Sequence, residues 1–163
     1  MERDVNGMYE AISQYFADNA IPYREIRHAP GGSTEEYHQA VGCRYEQQAK
    51  CLFLKVKALD GSFSYVICTI PAQKRANMKA LRNLLGAKEV GFATKEELKD
   101  VTGCNFGELA PVGRLFGVPL MLEADLLNED EIFINAGRLD VSFAFHPRDL
   151  ERVEQPTIFQ IAP

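Results

Sequence analysis

The sequence predicts an α+β fold: a single domain with a curved, mixed or antiparallel, barrel-like sheet flanked by helices. Three observations carry this expectation. Short β-rich runs outnumber helical ones, hairpin-type turns join them in place of a regular strand–helix–strand rhythm, and no linker or internal repeat divides the 163 residues. A chain of that length can bury a real core, so residues 1–163 are expected to form one domain.

The elements follow in order. Met8, Ile12, Tyr15 and Phe16 recur at helical spacing and predict a helix from Met8 to Asn19, ended by Ile21-Pro22. Tyr23–Arg27 alternates like a short strand and stops at the turn signal His28-Ala29-Pro30-Gly31-Gly32. Ser33 or Thr34 can cap a helix reaching about Val41. The strongest β signal is Ala49–Lys57, then Asp60-Gly61, then Phe63–Ile70, which together predict an antiparallel hairpin. Alternation sets Lys50 on one face with Leu52, Leu54 and Val56, and sets Cys51, Phe53, Lys55 and Lys57 on the other.

Asn77–Leu85 reads as a helix closed by Gly86, and Glu89–Phe92 as a strand. Thr94 with Glu97 three residues on makes a capping box for a helix that Gly103 ends. Strands are expected at Val118–Leu122, Ile132–Asn135 and Val141–Phe145, with a turn at Ala136-Gly137-Arg138. Pro147 opens a helix to Val153, and Thr157–Ile161 reads as a last strand.

Composition excludes several function classes. The net charge of −5 argues against coating a nucleic-acid duplex, so no DNA partner is expected, while one RNA end could still meet a local basic patch. The charged start Met1-Glu2-Arg3-Asp4 leads into no apolar run, and no stretch of about 18 apolar residues occurs. A soluble cytoplasmic protein without a membrane partner is expected. Cys43, Cys51, Cys68 and Cys104 show no metal-ligand rhythm, and His28, His38 and His146 are scattered, so neither metal nor other cofactor is expected.

Four features could carry chemistry. The segment Gly107-Glu108-Leu109-Ala110-Pro111-Val112-Gly113 is pinned by glycine at both ends and by Pro111; it is either a tight connection or a loop presenting backbone groups to a small polar ligand. Lys50, aligned with aliphatic residues, either snorkels to water or stands at a pocket wall facing an anion or polarised carbonyl. Asn135-Ala136-Gly137 offers side-chain and backbone hydrogen bonds or plain turn chemistry, and His146 is an acid–base group or a helix cap. Arg75, Lys79 and Arg82 fall on one helical face, with Lys74 and Lys88 nearby; such a stripe is a solvated surface or a seat for an RNA backbone. There is no Gly-x-Ser-x-Gly, no phosphate-binding loop and no Gly-x-Gly-x-x-Gly after a strand. Any catalysis is therefore expected to rest on positioning and polarisation.

Taken in order, these motifs resemble the YbaK/EbsC-type family of aminoacyl-tRNA deacylases, related to the editing insertion domain of bacterial prolyl-tRNA synthetase. The resemblance rests on His28-Ala29-Pro30, Ser33-Thr34-Glu35-Glu36, the Ala49–Leu54 strand with its lysine, Thr102-Gly103, Gly107-x-x-x-Pro111-x-Gly113, Asn135-Ala136-Gly137 and Phe145-His146-Pro147-Arg148-Asp149-Leu150. It implies a trans-acting hydrolase of mischarged tRNA, bound by its aminoacylated 3′ end, with a synthetase as a conceivable partner. By the same resemblance Lys50 holds the terminal nucleotide near the ester. The Gly107–Gly113 loop positions the aminoacyl group, and Asn135, Ala136 and Gly137 line the same pocket. Chemistry in such proteins is thought to lean on the substrate's own groups and a positioned water. Cys51 departs from the family, which often has a small hydroxyl residue or Asn there. The alternatives are a noncatalytic module that binds aminoacyl-tRNA, a nucleotide or a synthetase, and a hydrolase of small esters or amides on the same fold.

Overall fold

The computed structural model describes residues 7–30 and 33–160. Met1–Asp4, Gly31-Gly32 of the expected turn and Ile161 of the expected last strand lie outside the described residues.

The predicted hairpin is the centre of the molecule. Strands β2 (Ala49–Lys57) and β3 (Phe63–Pro71) pair antiparallel from Ala49 opposite Pro71 to Lys57 opposite Phe63. Asp60 closes the turn by accepting the Ser62 N–H at 2.8 Å. The far half of β2, Leu54–Lys57, also pairs with β4 (Glu89–Phe92). On the other side, β5 (Leu120–Glu123) runs parallel to β3, and β8 (Thr157–Phe159) parallel to β5. The five strands lie in the order β4-β2-β3-β5-β8. A second, antiparallel sheet orders β1 (Arg24–Arg27), β7 (Val141–Phe145) and β6 (Ile132–Asn135) as β1-β7-β6.

The expectation of α+β with mixed sheets holds, but the sheet does not close into a barrel. Among the described residues, the two sheets meet outside the named strands through the single bridge Gln48–Phe133. Closure would need a continuous ladder there. Instead β6 leaves β2 almost at once, and β4 joins it only from Leu54 onward. Between them, the Lys50–Leu52 edge of β2 is paired by neither β4 nor β6.

Helices cover both sheets. Helix α1 (Gly7–Asp18) lays Ile12 and Phe16 on the smaller sheet, with Phe16 edge-on to Phe143 and Phe145 at 5.3 and 5.1 Å between ring centres. Helix α2 (Thr34–Val41) is capped by Ser33, α3 (Met78–Leu85) by Asn77, and α4 (Lys95–Thr102) by the Thr94–Glu97 box. Alternation along β2 divides the interior. Cys51 and Phe53 join the main core with α1, α4 and the smaller sheet, whereas Leu52 and Leu54 pack with Leu81 of α3. Three short turns were not foreseen: 3-10 turns at Tyr45–Gln47 and Ala124–Asn128, and the one-turn helix α5 (Gly113–Phe116). The Val118 N–H donates to Gly113 O at 3.0 Å to close α5, which delays the expected strand at Val118 until Leu120. Helix α6 (Pro147–Glu154) completes the chain of helices.

Candidate functional site

A cavity of about 660 Å³ opens where β2 is left without a neighbour. Its wall includes Gln48 and residues 49–53 of the β2 edge, residues 92–95 from the end of β4 into α4, Ser33, Thr34 and Tyr37 at α2, and Leu98, Phe106, Gly107, Leu109 and Asn135. The Ala93 N–H donates to Phe53 O at 3.0 Å, which marks where the paired part of this edge begins. Two residues earlier on the pleat, Cys51 directs its backbone N–H and C=O to the same edge, toward the cavity.

Lys50 is half-buried in this wall, and burial first, then the positive charge of Arg75, hold its ammonium pKa below the ordinary 10.5. Among the described residues no carboxylate pairs with it, so its charge is available to a ligand. Cys51 also lines the cavity, which Lys50's opposite face on β2 did not predict. Its Sγ sits 3.4 Å from Thr69 Oγ1, and burial pushes its pKa up to about 12. The thiol therefore stays protonated near neutral pH and is not a nucleophile.

The pinned loop is held at both ends. At the first, the Asn135 side-chain amide donates to Gly107 O at 2.6 Å, and Gly107 takes φ +86°, a conformation suited to glycine. At the second, the Glu154 carboxylate, 6% exposed, accepts the Arg114 N–H at 3.1 Å and the Tyr15 hydroxyl. Burial raises the Glu154 pKa, while these donors oppose the rise. Between the ends the loop divides. Leu109 and Gly107 reach the cavity, but Ala110, Pro111, Val112 and Gly113 are buried away from it, with Ala110 and Val112 in the main core. The apolar Ala-Pro-Val centre explains this: it buries better than it hydrates. The Glu108 carboxylate accepts the Asn105 N–H at 2.8 Å and does not line the cavity.

Of the other expected site residues, Asn135 stands in the wall, whereas Ala136 and Gly137 are buried outside it. His146 is exposed and caps α6, its Nδ1 accepting the Arg148 N–H at 3.1 Å. Arg75, Lys79 and Arg82 are all exposed, but α3 starts at Met78, so Arg75 lies before the helix and only Lys79 and Arg82 share its face. Lys74 is an internal strut. It pairs with Glu123, fully buried, at 3.1 Å and with Asp125.

Several wall residues were not singled out by the sequence, chiefly Gln48, Tyr37 and Phe106. Gln48 carried one signal, a polar residue entering the strongest β run two positions before Lys50. Tyr37 heads a chain of hydroxyls: its OH lies 2.6 Å from Ser142 Oγ, which lies 2.8 Å from His28 Nε2. His28 Nδ1 sits 2.7 Å from Ala29 O and must donate there, so Nε2 accepts from Ser142 and Ser142 from Tyr37. The His-Ala-Pro motif thus ties α2 to β7. No group of three or more His, Cys, Asp or Glu that could hold a metal ion occurs among the described residues. Nor does any helix among them have the length and apolarity to cross a membrane. The site offers two lysines, half-buried Lys50 and exposed Lys95, with an open polar strand edge and an apolar floor.

The family described as the aminoacyl-tRNA editing domain matches residues 28–153. The multifunctional Ser/Thr-tRNA deacylase ProXp-y of Escherichia coli (strain K12) is 34% identical over 150 residues, 90% of this chain and 86% of that protein. A proline–tRNA ligase of Geobacillus sp. (strain WCH70) is 33% identical over 98 residues, which are 60% of this chain and 16% of the ligase. Two solved structures share the fold. The hypothetical protein APE2540 superposes with a TM-score of 0.83 at 20% identity, over 94% of this chain and 99% of that one. A candidate trans-editing enzyme for prolyl tRNA synthetase gives 0.81 at 21% identity, over 96% and 98%.

Proposed function

The chain belongs to the aminoacyl-tRNA editing domain family, and from that premise we propose that it is a trans-acting deacylase that hydrolyses the ester of a mischarged tRNA. The observation that carries the proposal is Lys50: a half-buried ammonium, with no carboxylate partner among the described residues, at the open edge of β2 over a cavity of about 660 Å³. That volume suits an aminoacyl group with part of its nucleoside.

In this reading Lys50 attracts the polar groups of the 3′-terminal nucleotide and brings the scissile ester to the β2 edge. The Cys51 backbone N–H is placed to hydrogen-bond the ester carbonyl as negative charge develops on its oxygen. Phe53, Leu98 and Leu109 form the floor for the amino acid, and Asn135 keeps Gly107 and Leu109 in place by its bond to Gly107 O. A water oxygen adds to the acyl carbon, the ester C–O bond breaks, and the terminal ribose oxygen leaves with a proton. With the Cys51 thiol kept protonated, no covalent acyl-enzyme is required. Glu108, Ala110, Pro111, Val112 and Gly113 support the loop from behind, as Ala136, Gly137 and the His146-capped helix support the opposite wall. Arg75, Lys79 and Arg82 would meet the phosphates of the incoming strand.

Residues 1–163 act here as one editing unit, with the cytoplasm as the site of action. The likeness to a segment of a proline–tRNA ligase supports a synthetase as a partner. The test is a panel of tRNAs charged with wrong amino acids, assayed for turnover and for binding. Turnover above the uncatalysed rate supports the deacylase. Saturable binding without turnover supports a noncatalytic module, and hydrolysis of small esters alone supports reuse of the fold.

A further inference from the structure

The cavity wall includes two phenylalanines, Phe92 and Phe106, that are 67% and 77% exposed. A lone exposed Phe is ordinary surface, but two at the mouth of one cavity are not scattered, and their rings are unoccupied. Phe63, also exposed, lies under the Lys55 ammonium at 4.4 Å. Among the described residues neither Phe92 nor Phe106 stacks on another ring or lies under a cation. Both are nevertheless held by their backbones. Phe92 ends β4 opposite Leu54, and the next N–H, that of Ala93, donates to Phe53 O at 3.0 Å. Phe106 rides a turn closed twice: the Glu108 N–H donates to Asn105 O at 3.1 Å, and the Asn105 N–H to the Glu108 carboxylate at 2.8 Å. The Gly107 carbonyl that follows is fixed by Asn135. Rings presented on rigid backbone cost little ordering entropy when a ligand covers them.

The register places charge beside these rings. Phe92 pairs with Leu54, and alternation sets Leu52 and Lys50 on the same face of β2, so Lys50 lies about 13 Å back along the strand. A group on Phe92 therefore sits further out than the one Lys50 holds. Lys95, three residues after Phe92, adds a second ammonium to the wall, and like Lys50 it has no carboxylate partner among the described residues. A ligand that fits this rim presents flat apolar faces and negative charge together. An unpaired nucleic-acid strand does so, with bases that stack on aromatic rings and phosphates that meet ammonium groups. A purely apolar partner would cover both ammonium groups unpaired. We propose that Phe92 and Phe106 form a nucleobase subsite, each ring stacking one of the unpaired bases at the tRNA 3′ end while the ester lies at the β2 edge. The proposal rests on the deacylase reading and adds to it the seat of the bases. Stacking tolerates any base, so this subsite supplies affinity for the strand and no choice among amino acids.

The chain has no tryptophan, so Phe92→Trp and Phe106→Trp each supply a sole indole reporter that keeps an aromatic face. Adding mischarged tRNA should quench both reporters, and the same tRNA trimmed of its unpaired 3′ nucleotides should quench neither. In turnover assays Phe92→Ala and Phe106→Ala should each raise KM about 5- to 100-fold, the range of one lost base stack, with the loss in KM and not in kcat. Phe92→Leu and Phe106→Leu keep apolar bulk without a π face and should behave as the Ala variants do, whereas the Trp variants should recover substrate binding. Thermal melting checks that every variant is folded. An unmoved KM in the Ala variants overturns the proposal. So does full recovery by Leu, which would make the rings plain apolar packing, or a loss confined to kcat, which would make them part of the pocket's shape. Equal quenching by the trimmed tRNA overturns it as well. Turnover without quenching overturns the subsite and leaves the deacylase reading intact, while quenching without turnover upholds the subsite and defeats that reading.

Discussion

Gly113→Ala is the substitution for which the structure gives the sharpest expectation. A Cβ added at Gly113 would stand 2.4 Å from the backbone oxygen of Val118, an atom that cannot swing aside. Restoring even the tightest tolerable contact, 3.0 Å, moves that backbone by about 0.6 Å. The same short segment carries the Val118 N–H to Gly113 O bond that closes α5, so the shift loosens it. Overpacking costs about 1–3 kcal/mol, and a weakened hydrogen bond adds about 1 kcal/mol. The expected loss is about 2–4 kcal/mol, which for a chain of this size lowers Tm by about 4–16 °C. Gly107→Ala is the control. There the obstacle is φ +86° and the tip of the Leu139 side chain at 2.9 Å, which can move, so the cost is about 1–2 kcal/mol. Circular-dichroism melts and urea titrations of both variants measure the order. A Gly113→Ala protein that melts with the wild type, or above Gly107→Ala, would refute the close-approach argument.

Further expectations follow from the charged groups. Lys74→Met should destabilise by about 3 kcal/mol, because it removes the cation paired with the fully buried Glu123, whose other oxygen accepts the Asp125 N–H; denaturant titration checks this, and an unchanged midpoint would mean the strut is dispensable. Glu97 has its pKa lowered to about 2 by the Tyr65 hydroxyl first, then the Thr94 N–H and Lys55. A depressed carboxyl contributes stability that is present above its ordinary 4.5 and lost as pH falls toward 2. Glu97→Gln should therefore melt below wild type at pH 7 and converge with it near the acid end, whereas a gap that stays constant with pH would contradict the assignment. Reversing charge at Arg75, Lys79 and Arg82 should weaken tRNA binding and flatten its log-affinity against log-salt slope by about 0.7 per lost phosphate contact; an unaltered slope would return these residues to ordinary surface.

What could be read before the structure was what local chemistry decides. Ser33, Asn77 and Thr94 cap helices because their side chains meet the first free N–H groups, and the Asp60-Gly61 hairpin follows from turn geometry. Lys50 and Asn135 were legible as site candidates for a similar reason: a cation among aliphatics and an amide before a flexible turn both break a local pattern. The parallel pairing of β5 and β8 was not legible, since it depends on contacts between distant segments. Neither was the gap beside β2, because periodicity describes a strand's faces and is silent about its edges. For that reason alternation placed Cys51 on the face opposite Lys50, where it packs on the main core, without revealing that both residues border one cavity. The Gly107–Gly113 loop was half legible. Its glycines announced constraint, but whether Ala110 and Val112 faced ligand or core was settled by the packing of the main core around them.

The central claim is that Lys50 holds the substrate at the open edge of β2. Single-turnover deacylation of a mischarged tRNA by wild type and Lys50→Ala tests it most directly, with melting curves to show that both are folded. Loss of a placed cation that orients the reacting ester should slow the reaction by about 10²–10³-fold, with Lys50→Arg recovering part of the loss in substrate binding. Undiminished hydrolysis by Lys50→Ala would contradict the account.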